Sequence, residues 1–111
     1  MARVVSIVQL ELKPGVTDDQ VRALAVDIMR DYKIPGVINP RIAKADRGDR
    51  DGKYVFIWEF ESVETRARYW PEWGRSSAEW KRNTAGAPAA IAERFSSLFD
   101  ASVTDYVVLG E

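Results

Sequence analysis

The chain has 111 residues, of which 46% are hydrophobic and 30% charged, a composition typical of one globular domain with one core. Its net charge of -1 supplies no basic surface for a phosphate backbone, and its apolar runs are too short to cross a membrane, so we expect neither nucleic acid nor membrane as a partner. It has no histidine and no cysteine, which excludes Ser-His-Asp and Cys-His sites, disulfides and the usual zinc sites.

The same composition limits the chemistry that the chain can perform. Carboxylates, Tyr, Lys, Arg, Trp and backbone groups remain, and no carboxylates cluster with metal-ligand spacing, so we expect no metal and no cofactor. No repeat or linker divides the sequence, which predicts a single domain over residues 1–111. The absence of cysteine and of a recognisable signal peptide is compatible with a cytoplasmic location.

Residues 3–12 predict a strand with two apolar faces, which indicates that both faces are covered. Thr17 and Gln20 then form a capping box at the start of an amphipathic helix. Pro35 and Gly36 end that helix.

Two strands follow, joined by a charged hairpin loop over residues 46–53. Residues 37–45 predict a strand in which Pro40 indicates an edge position or a bulge. Residues 54–61 predict the strongest strand, with an aromatic row on one face: Tyr54, Phe56, Trp58 and Phe60.

The second helical region is interrupted. Ser62 is a predicted N-cap for a helix over residues 63–70, which Pro71 and Gly74 break. A second capping box from Ser76 to Glu79 predicts a short helix that begins near residue 77.

The C-terminal part of the sequence predicts one more helix and one more strand. The helix covers about residues 87–99, with Ile91, Phe95 and Phe99 on its apolar stripe, and the strand covers residues 102–109.

The element order β-α-β-β-α-β predicts an α+β, ferredoxin-like fold, with an antiparallel sheet and helices on one face. We expect the first and third strands at the centre of the sheet, running parallel. The uncovered second face requires another cover, and a second copy of the chain supplies one. The sequence therefore predicts a homodimer that packs through its sheet faces.

The stretch "FIWEFESVETRARYW" (56–70) resembles the third strand and the Ser-x-Glu helix start of the antibiotic-biosynthesis-monooxygenase-like proteins. These proteins belong to the dimeric α/β-barrel superfamily, whose topology matches nearly the whole chain. In that family a histidine commonly lies seven residues after the serine, where this chain has Tyr69. The resemblance therefore does not imply heme degradation, which uses a histidine on that helix.

The resemblance implies a different activity, that of cofactor-free oxygenases acting on electron-rich aromatic rings. Their site is a pocket between sheet and helices with Trp and Asn among its residues, to which Trp58 and Asn39 correspond in general position. The superfamily also contains isomerases, cyclases, and decarboxylating and dehalogenating enzymes, so the fold does not select one reaction.

Three tryptophans in the interrupted region are candidates for the wall of a pocket: Trp70, Trp73 and Trp80. A broken helix can form a rim or flap over the sheet, and indole rings suit an aromatic ligand. The alternative is that these rings pack in the core or in the dimer seam.

Glu59 is the candidate general base. Parallel central strands would bring Glu11 near Glu59 and Glu61, and a like-charged neighbour together with desolvation would raise the pKa of Glu59. The alternative is a solvated strand end or an ion pair with Arg3 or Arg41.

Other polar side chains complete the candidate site. Tyr69 and Tyr54 are hydrogen-bond donors to a carbonyl or oxyanion, Arg41 is a clamp for an anion, and Asn39 orients a carbonyl. Core packing, surface ion pairing and turn geometry are their alternative roles.

Three functional hypotheses remain. The first is a small cofactor-independent, monooxygenase-like enzyme that acts on an aromatic or polyketide-type molecule. The second is a non-catalytic dimeric barrel, either a binder of a small hydrophobic ligand or a stress-related protein. The third is a structural dimerisation module.

Overall fold

The computed structural model describes residues 2–111. The strands are β1 (Val4–Leu12), β2 (Val37–Lys44), β3 (Tyr54–Phe60) and β4 (Phe99–Val107). The helices are α1 (Asp18–Asp31), α2 (Val63–Tyr69), α3 (Ala78–Asn83) and α4 (Ala87–Leu98). Within these described residues, no helix has both the length and the apolar character to span a bilayer.

The strands form one antiparallel sheet in the order β2-β3-β1-β4, with the helices on one face. This confirms the predicted α+β, ferredoxin-like fold and the central position of β1 and β3. The prediction that these two strands run parallel is wrong, since Val4 lies opposite Phe60 and Leu10 opposite Tyr54. The crossover through α1 keeps β2 in the direction of β1, and the following hairpin then reverses β3.

The alternation of side chains along β1 separates two faces. Val4, Ser6, Val8 and Leu10 point towards the helices and are at most 5% exposed. Buried residues of α1 meet them in the core: Val21, Leu24 and Ile28. The opposite face carries Val5 and Ile7, so the sheet has a second apolar surface away from the helices.

Several local predictions are confirmed. Thr17 and Gln20 form the capping box of α1, and Ser62 caps α2. The pairing of β2 with β3 shifts register between Ile38 and Arg41, which is the bulge that Pro40 indicated. β2 is also an edge strand.

Two boundaries differ from the sequence prediction. Ser77 caps α3 by accepting a hydrogen bond from the Trp80 backbone N–H, so the cap is one residue after Ser76. β4 begins at Phe99 rather than at residue 102, because Phe99 pairs with Leu12 and extends the β1–β4 ladder. Phe99 therefore belongs to this ladder and not to the last helix.

Hydrogen bonds to Asp18 connect the start of α1 to the sheet. Its carboxylate accepts hydrogen bonds from the Tyr54 hydroxyl, from Arg22 Nε at 2.5 Å and from Lys44 Nζ at 3.3 Å. These bonds, that of Tyr54 foremost, lower the pKa of Asp18 well below its usual range. A carboxyl group whose pKa is lowered by folding stabilises the folded state above its unfolded pKa, and that contribution is lost as the pH falls.

We predict that Asp18→Asn makes the protein less sensitive to acid. The urea midpoint of the wild type should fall more steeply between neutral pH and about pH 3 than that of the variant, because only the wild type must protonate this carboxylate. Asp49→Asn in the exposed hairpin loop is the control and should follow the wild type. If the urea midpoints of the wild type and of Asp18→Asn fall equally with pH, the acid sensitivity does not come from Asp18.

Candidate functional site

A cavity of about 690 Å³ lies between the helix-facing side of the sheet and α2. The sheet supplies its floor: Ser6, Trp58, Phe60, Val103 and Asp105. α2 and its C-cap supply one wall: Arg66, Ala67 and Trp70. The segment Pro71–Gly74 forms the rim. The cavity thus occupies the space that the interruption of the second helical region leaves over the sheet.

One row of paired residues crosses the floor of this cavity. Ser6 in β1 lies opposite Trp58 in β3 on one side and opposite Asp105 in β4 on the other. Directly opposed residues in an antiparallel sheet have Cβ atoms about 5 Å apart. Strand pairing therefore places an indole, a hydroxyl and a carboxylate side by side on one surface.

An ion pair that is largely shielded from solvent joins the wall of the cavity to its floor. Arg66 Nη1 donates to Asp105 Oδ2 at 2.9 Å, and the two side chains are 26% and 15% exposed. Arg66 belongs to α2 and Asp105 to β4, so the pair also joins the helix to the sheet.

The indole N–H of Trp58 lies inside the floor of the cavity. Trp58 Nε1 is buried without access from the cavity and has no hydrogen-bond partner among residues 2–111. A buried donor that is left unpaired costs about 1–3 kcal/mol. The Trp58 ring itself is held by ring contacts at 5.5–5.9 Å with Tyr32, Phe56, Phe60 and Trp80.

The rim is a short loop that is closed by backbone hydrogen bonds. The Ser77 N–H donates to the Tyr69 carbonyl at 2.8 Å, and Arg75 N donates to the Glu72 carbonyl at 3.1 Å within a turn. Trp73 lies in this turn and is 71% exposed. The closed base of the loop keeps this indole at the mouth of the cavity instead of in the core.

The three clustered tryptophans have different positions. Trp70 and Trp73 line the cavity. Trp80 does not, because its ring packs against Trp70, Tyr69 and Trp58 at 5.2–5.6 Å and lies behind the wall.

Tyr69, the candidate catalytic tyrosine, lies outside the cavity. It is fully buried. Its hydroxyl donates a hydrogen bond to the Pro35 carbonyl and accepts one from Asn83 Nδ2 at 3.0 Å. These bonds connect α2 to the segment after α1 and to α3, so the geometry gives Tyr69 a structural position.

Glu59 and Arg41 lie on the opposite face of the sheet from the cavity. Glu59 forms ion pairs with Arg3 at 3.3 Å and Arg41 at 3.7 Å. Its strand neighbour is Val5, whereas Glu11 pairs with Lys53 at 3.1 Å. The carboxylate cluster expected from parallel strands does not form, because β1 and β3 are antiparallel.

The remaining predicted site residues are also elsewhere. Asn39 has a φ of +53° in the β2 bulge and lines a separate groove of about 600 Å³ beside the end of α1. Tyr54 bonds Asp18 at the start of α1. Of the predicted site residues, the structure brings together Trp58, Trp70 and Trp73.

Sequence reasoning missed Ser6, Arg66 and Asp105. A signal for Asp105 was present, since it interrupts an inward-facing row that otherwise holds Val103 and Val107. A charged residue among inward positions indicates a paired or functional group. Among residues 2–111 no cluster of three or more metal-ligating side chains occurs.

Solved structures with this fold are similar over nearly the whole chain. A dimeric ferredoxin-like protein of unknown function from Thermobifida fusca is 10% identical, with a TM-score of 0.65 over 96% of this chain and 92% of that one. A hydroxynitrile lyase from Passiflora edulis is 16% identical, with a TM-score of 0.62 over 98% and 95%. SnoaB, a cofactor-independent oxygenase from Streptomyces nogalater, is 13% identical, with a TM-score of 0.60 over 98% and 95%.

At these identities the likeness shows the ferredoxin-like fold. No protein-family profile matches the chain, and no curated protein sequence matches it either. The fold part of the predicted resemblance is therefore confirmed, while the activity has to be argued from the cavity.

We predict that Tyr69→Phe lowers the free energy of unfolding by about 1–2 kcal/mol, because it leaves the Pro35 carbonyl and the Asn83 amide without their partner. Urea denaturation measures the change. Asp49→Asn, in the exposed hairpin loop, is the control and should differ from the wild type by less than about 0.5 kcal/mol. An unchanged stability for Tyr69→Phe would contradict the structural role.

Proposed function

We propose that the protein is a small cofactor-independent enzyme of the monooxygenase-like kind, which binds a flat aromatic or polyketide-type molecule in the cavity under α2. The observation that carries this proposal is the cavity itself, lined by Trp58, Trp70 and Trp73 and floored by the Arg66–Asp105 pair. Pockets for small molecules are concave and mostly apolar, and contain a few polar groups that fix orientation.

The dimensions and lining of the cavity fit a ligand of two or three fused rings. About 690 Å³ lies within the usual range of small-molecule pockets, roughly 300–1,000 Å³. Indole faces stack on flat rings, and Trp58, Trp70 and Trp73 supply three of them to the lining of the cavity.

The chemistry that this cavity supports is proton abstraction from an acidic substrate. Asp105 is the carboxylate on the floor, so it replaces Glu59 as the proposed base. When Asp105 takes the substrate proton, Arg66 at 2.9 Å is released from its partner and stabilises the new anion. The anion then reacts with dioxygen, so that a ring CH₂ becomes C=O and the second oxygen atom leaves in water.

A second candidate function is binding without catalysis. It is favoured by the Arg66–Asp105 pair, because Asp105 already accepts a hydrogen bond from Arg66 and has to give it up before it can act on a substrate. Oxygen uptake distinguishes the two functions, since a binding protein retains affinity but consumes no oxygen.

We also propose that the chain forms a homodimer through the face of the sheet that lies away from the helices. Its centre is apolar, with Ile7 opposite Ile57 and with Val5 and Val55 in the adjoining rows. A similar structure, that from Thermobifida fusca, is described as dimeric. Burying these side chains against a second sheet removes them from water, and this is the main gain in such an interface.

We predict that 1,8-dihydroxyanthraquinone quenches the tryptophan fluorescence of the protein and that Trp73→Ala weakens this binding about fivefold or more, through loss of a stacking face. Because Trp73 is 71% exposed, its removal should change stability by less than about 0.5 kcal/mol. Leu109→Ala, at a 90% exposed position outside the cavity, is the control. If no ligand quenches the wild type, the cavity does not bind flat aromatics.

We predict that the wild type accelerates the reaction of 1,8-dihydroxyanthrone with dioxygen. In this reaction the ring CH₂ of the compound is oxidised to C=O. Asp105→Asn should remove this acceleration because it removes the base. An oxygen electrode, with buffer as the reference for spontaneous oxidation, measures both. Binding of the anthraquinone without any acceleration would select the binding function instead.

We predict that Ile57→Lys converts the dimer into a monomer, since it places a charge at the centre of the interface. Light scattering should give twice the chain mass for the wild type and the single chain mass for the variant. Val26→Lys on the exposed side of α1 is the control and should stay dimeric. A monomeric wild type would refute the dimer.

A further inference from the structure

The cavity contains few charged groups, and their signs constrain its ligand. Among its lining residues these are Arg66, Asp105 and Glu72. Arg66 is paired with Asp105 on the floor, and Glu72 at the rim is 68% exposed and pairs with Arg75 at 3.3 Å. The lining therefore holds one positive and two negative charges, and the positive charge is already engaged.

An anionic ligand meets a specific obstacle at the floor. To reach the Arg66 guanidinium it must displace Asp105 or lie beside it, since the two are 2.9 Å apart. Like charges next to one another in a partly desolvated site cost several kcal/mol. An uncharged ligand avoids this cost.

An uncharged hydroxyl group finds a favourable partner in the same place. Arg66 Nη1 binds Asp105 Oδ2, and among residues 2–111 no other hydrogen bond reaches the Asp105 carboxylate. A ligand O–H can donate to this carboxylate, and such charge-assisted bonds are roughly twice as strong as neutral ones. A deprotonated ligand oxygen has no proton to donate.

The other polar group on the floor does not discriminate between the two forms. The Ser6 hydroxyl can both donate and accept a hydrogen bond, so it can serve either form of the ligand. The choice of ionisation state therefore depends on Asp105, which lies beside Ser6 in the same cross-strand row, and on its partner Arg66.

We propose that the Arg66–Asp105 pair determines the ionisation state of the ligand, so that the cavity binds an uncharged, hydroxyl-bearing aromatic molecule and rejects its conjugate anion. This inference rests on the proposed aromatic-binding function and makes Asp105 a specificity-determining residue as well as the proposed base. It requires that the substrate enters protonated and loses its proton only inside the cavity.

The test uses 2-hydroxyanthraquinone, a flat phenol that ionises near neutral pH with a change of colour, and 2-methoxyanthraquinone, which cannot ionise. Calorimetric titrations are run at one pH below and one pH above the ionisation of the phenol. The wild type should bind the neutral phenol about tenfold or more tightly than the phenolate. Its affinity for the methoxy compound should be the same at both pH values.

Asp105→Asn should remove or reverse this preference, because it keeps the shape of the side chain and leaves Arg66 available to the phenolate. Its affinity for the methoxy compound should remain within about twofold of the wild type, because that ligand has no O–H to donate. Arg66→Gln is the second variant and should increase the preference for the neutral phenol, since it removes the one positive charge of the lining that could attract the phenolate. Circular dichroism confirms that each variant is folded.

The outcomes separate this inference from the function on which it rests. Equal affinity of the wild type for phenol and phenolate, or an unchanged ratio in both variants, would overturn the inference while the cavity still binds aromatics. If neither anthraquinone binds the wild type, the aromatic-binding function fails first. A preference for the phenolate in the wild type would refute the inference directly.

Discussion

The pairing of β1 with an antiparallel partner on each side is the constraint on which the rest of the structure depends. Because side chains alternate along a strand, this register directs Val4, Ser6 and Val8 to the helices and Val5 and Ile7 to the other face. A slip by one residue would exchange the two faces. The same register creates the row in which Ser6 lies between Trp58 and Asp105, so one set of backbone hydrogen bonds builds both the core and the floor of the cavity.

Aromatic packing sets the limits of the cavity. Trp58 contacts four rings and anchors the floor, while Trp80 packs behind Trp70 and supports the wall. The hydroxyl of Tyr69 connects three segments beneath them. Beyond that support α2 ends at Tyr69, and Trp73 lies at the mouth of the cavity. The interruption of the helix therefore separates a packed aromatic core from an open aromatic pocket.

The site was predicted less completely than the fold, for reasons that particular residues show. Trp70 and Trp73 were identified because large rings beside a helix break indicate a pocket, but nothing local separated them from Trp80, which packs inward. Glu59 was selected through a strand direction that is wrong, and its face of the sheet carries ion pairs with arginines. Asp105 was overlooked, although it interrupts an inward-facing row of valines, because only its ion pair with Arg66 on α2 identifies its position in the site.

The sequence by itself determined the order of elements, the caps at Thr17 and Ser62, the β2 bulge and the ferredoxin-like fold, because periodicity, capping and proline act over a few residues. Tertiary structure alone decided which polar groups meet. Arg66 and Asp105 are 39 residues apart in the chain and form their ion pair only after α2 packs on the sheet. Strand direction and helix packing are long-range properties, and they decide that the carboxylate in the cavity is Asp105 and not Glu59.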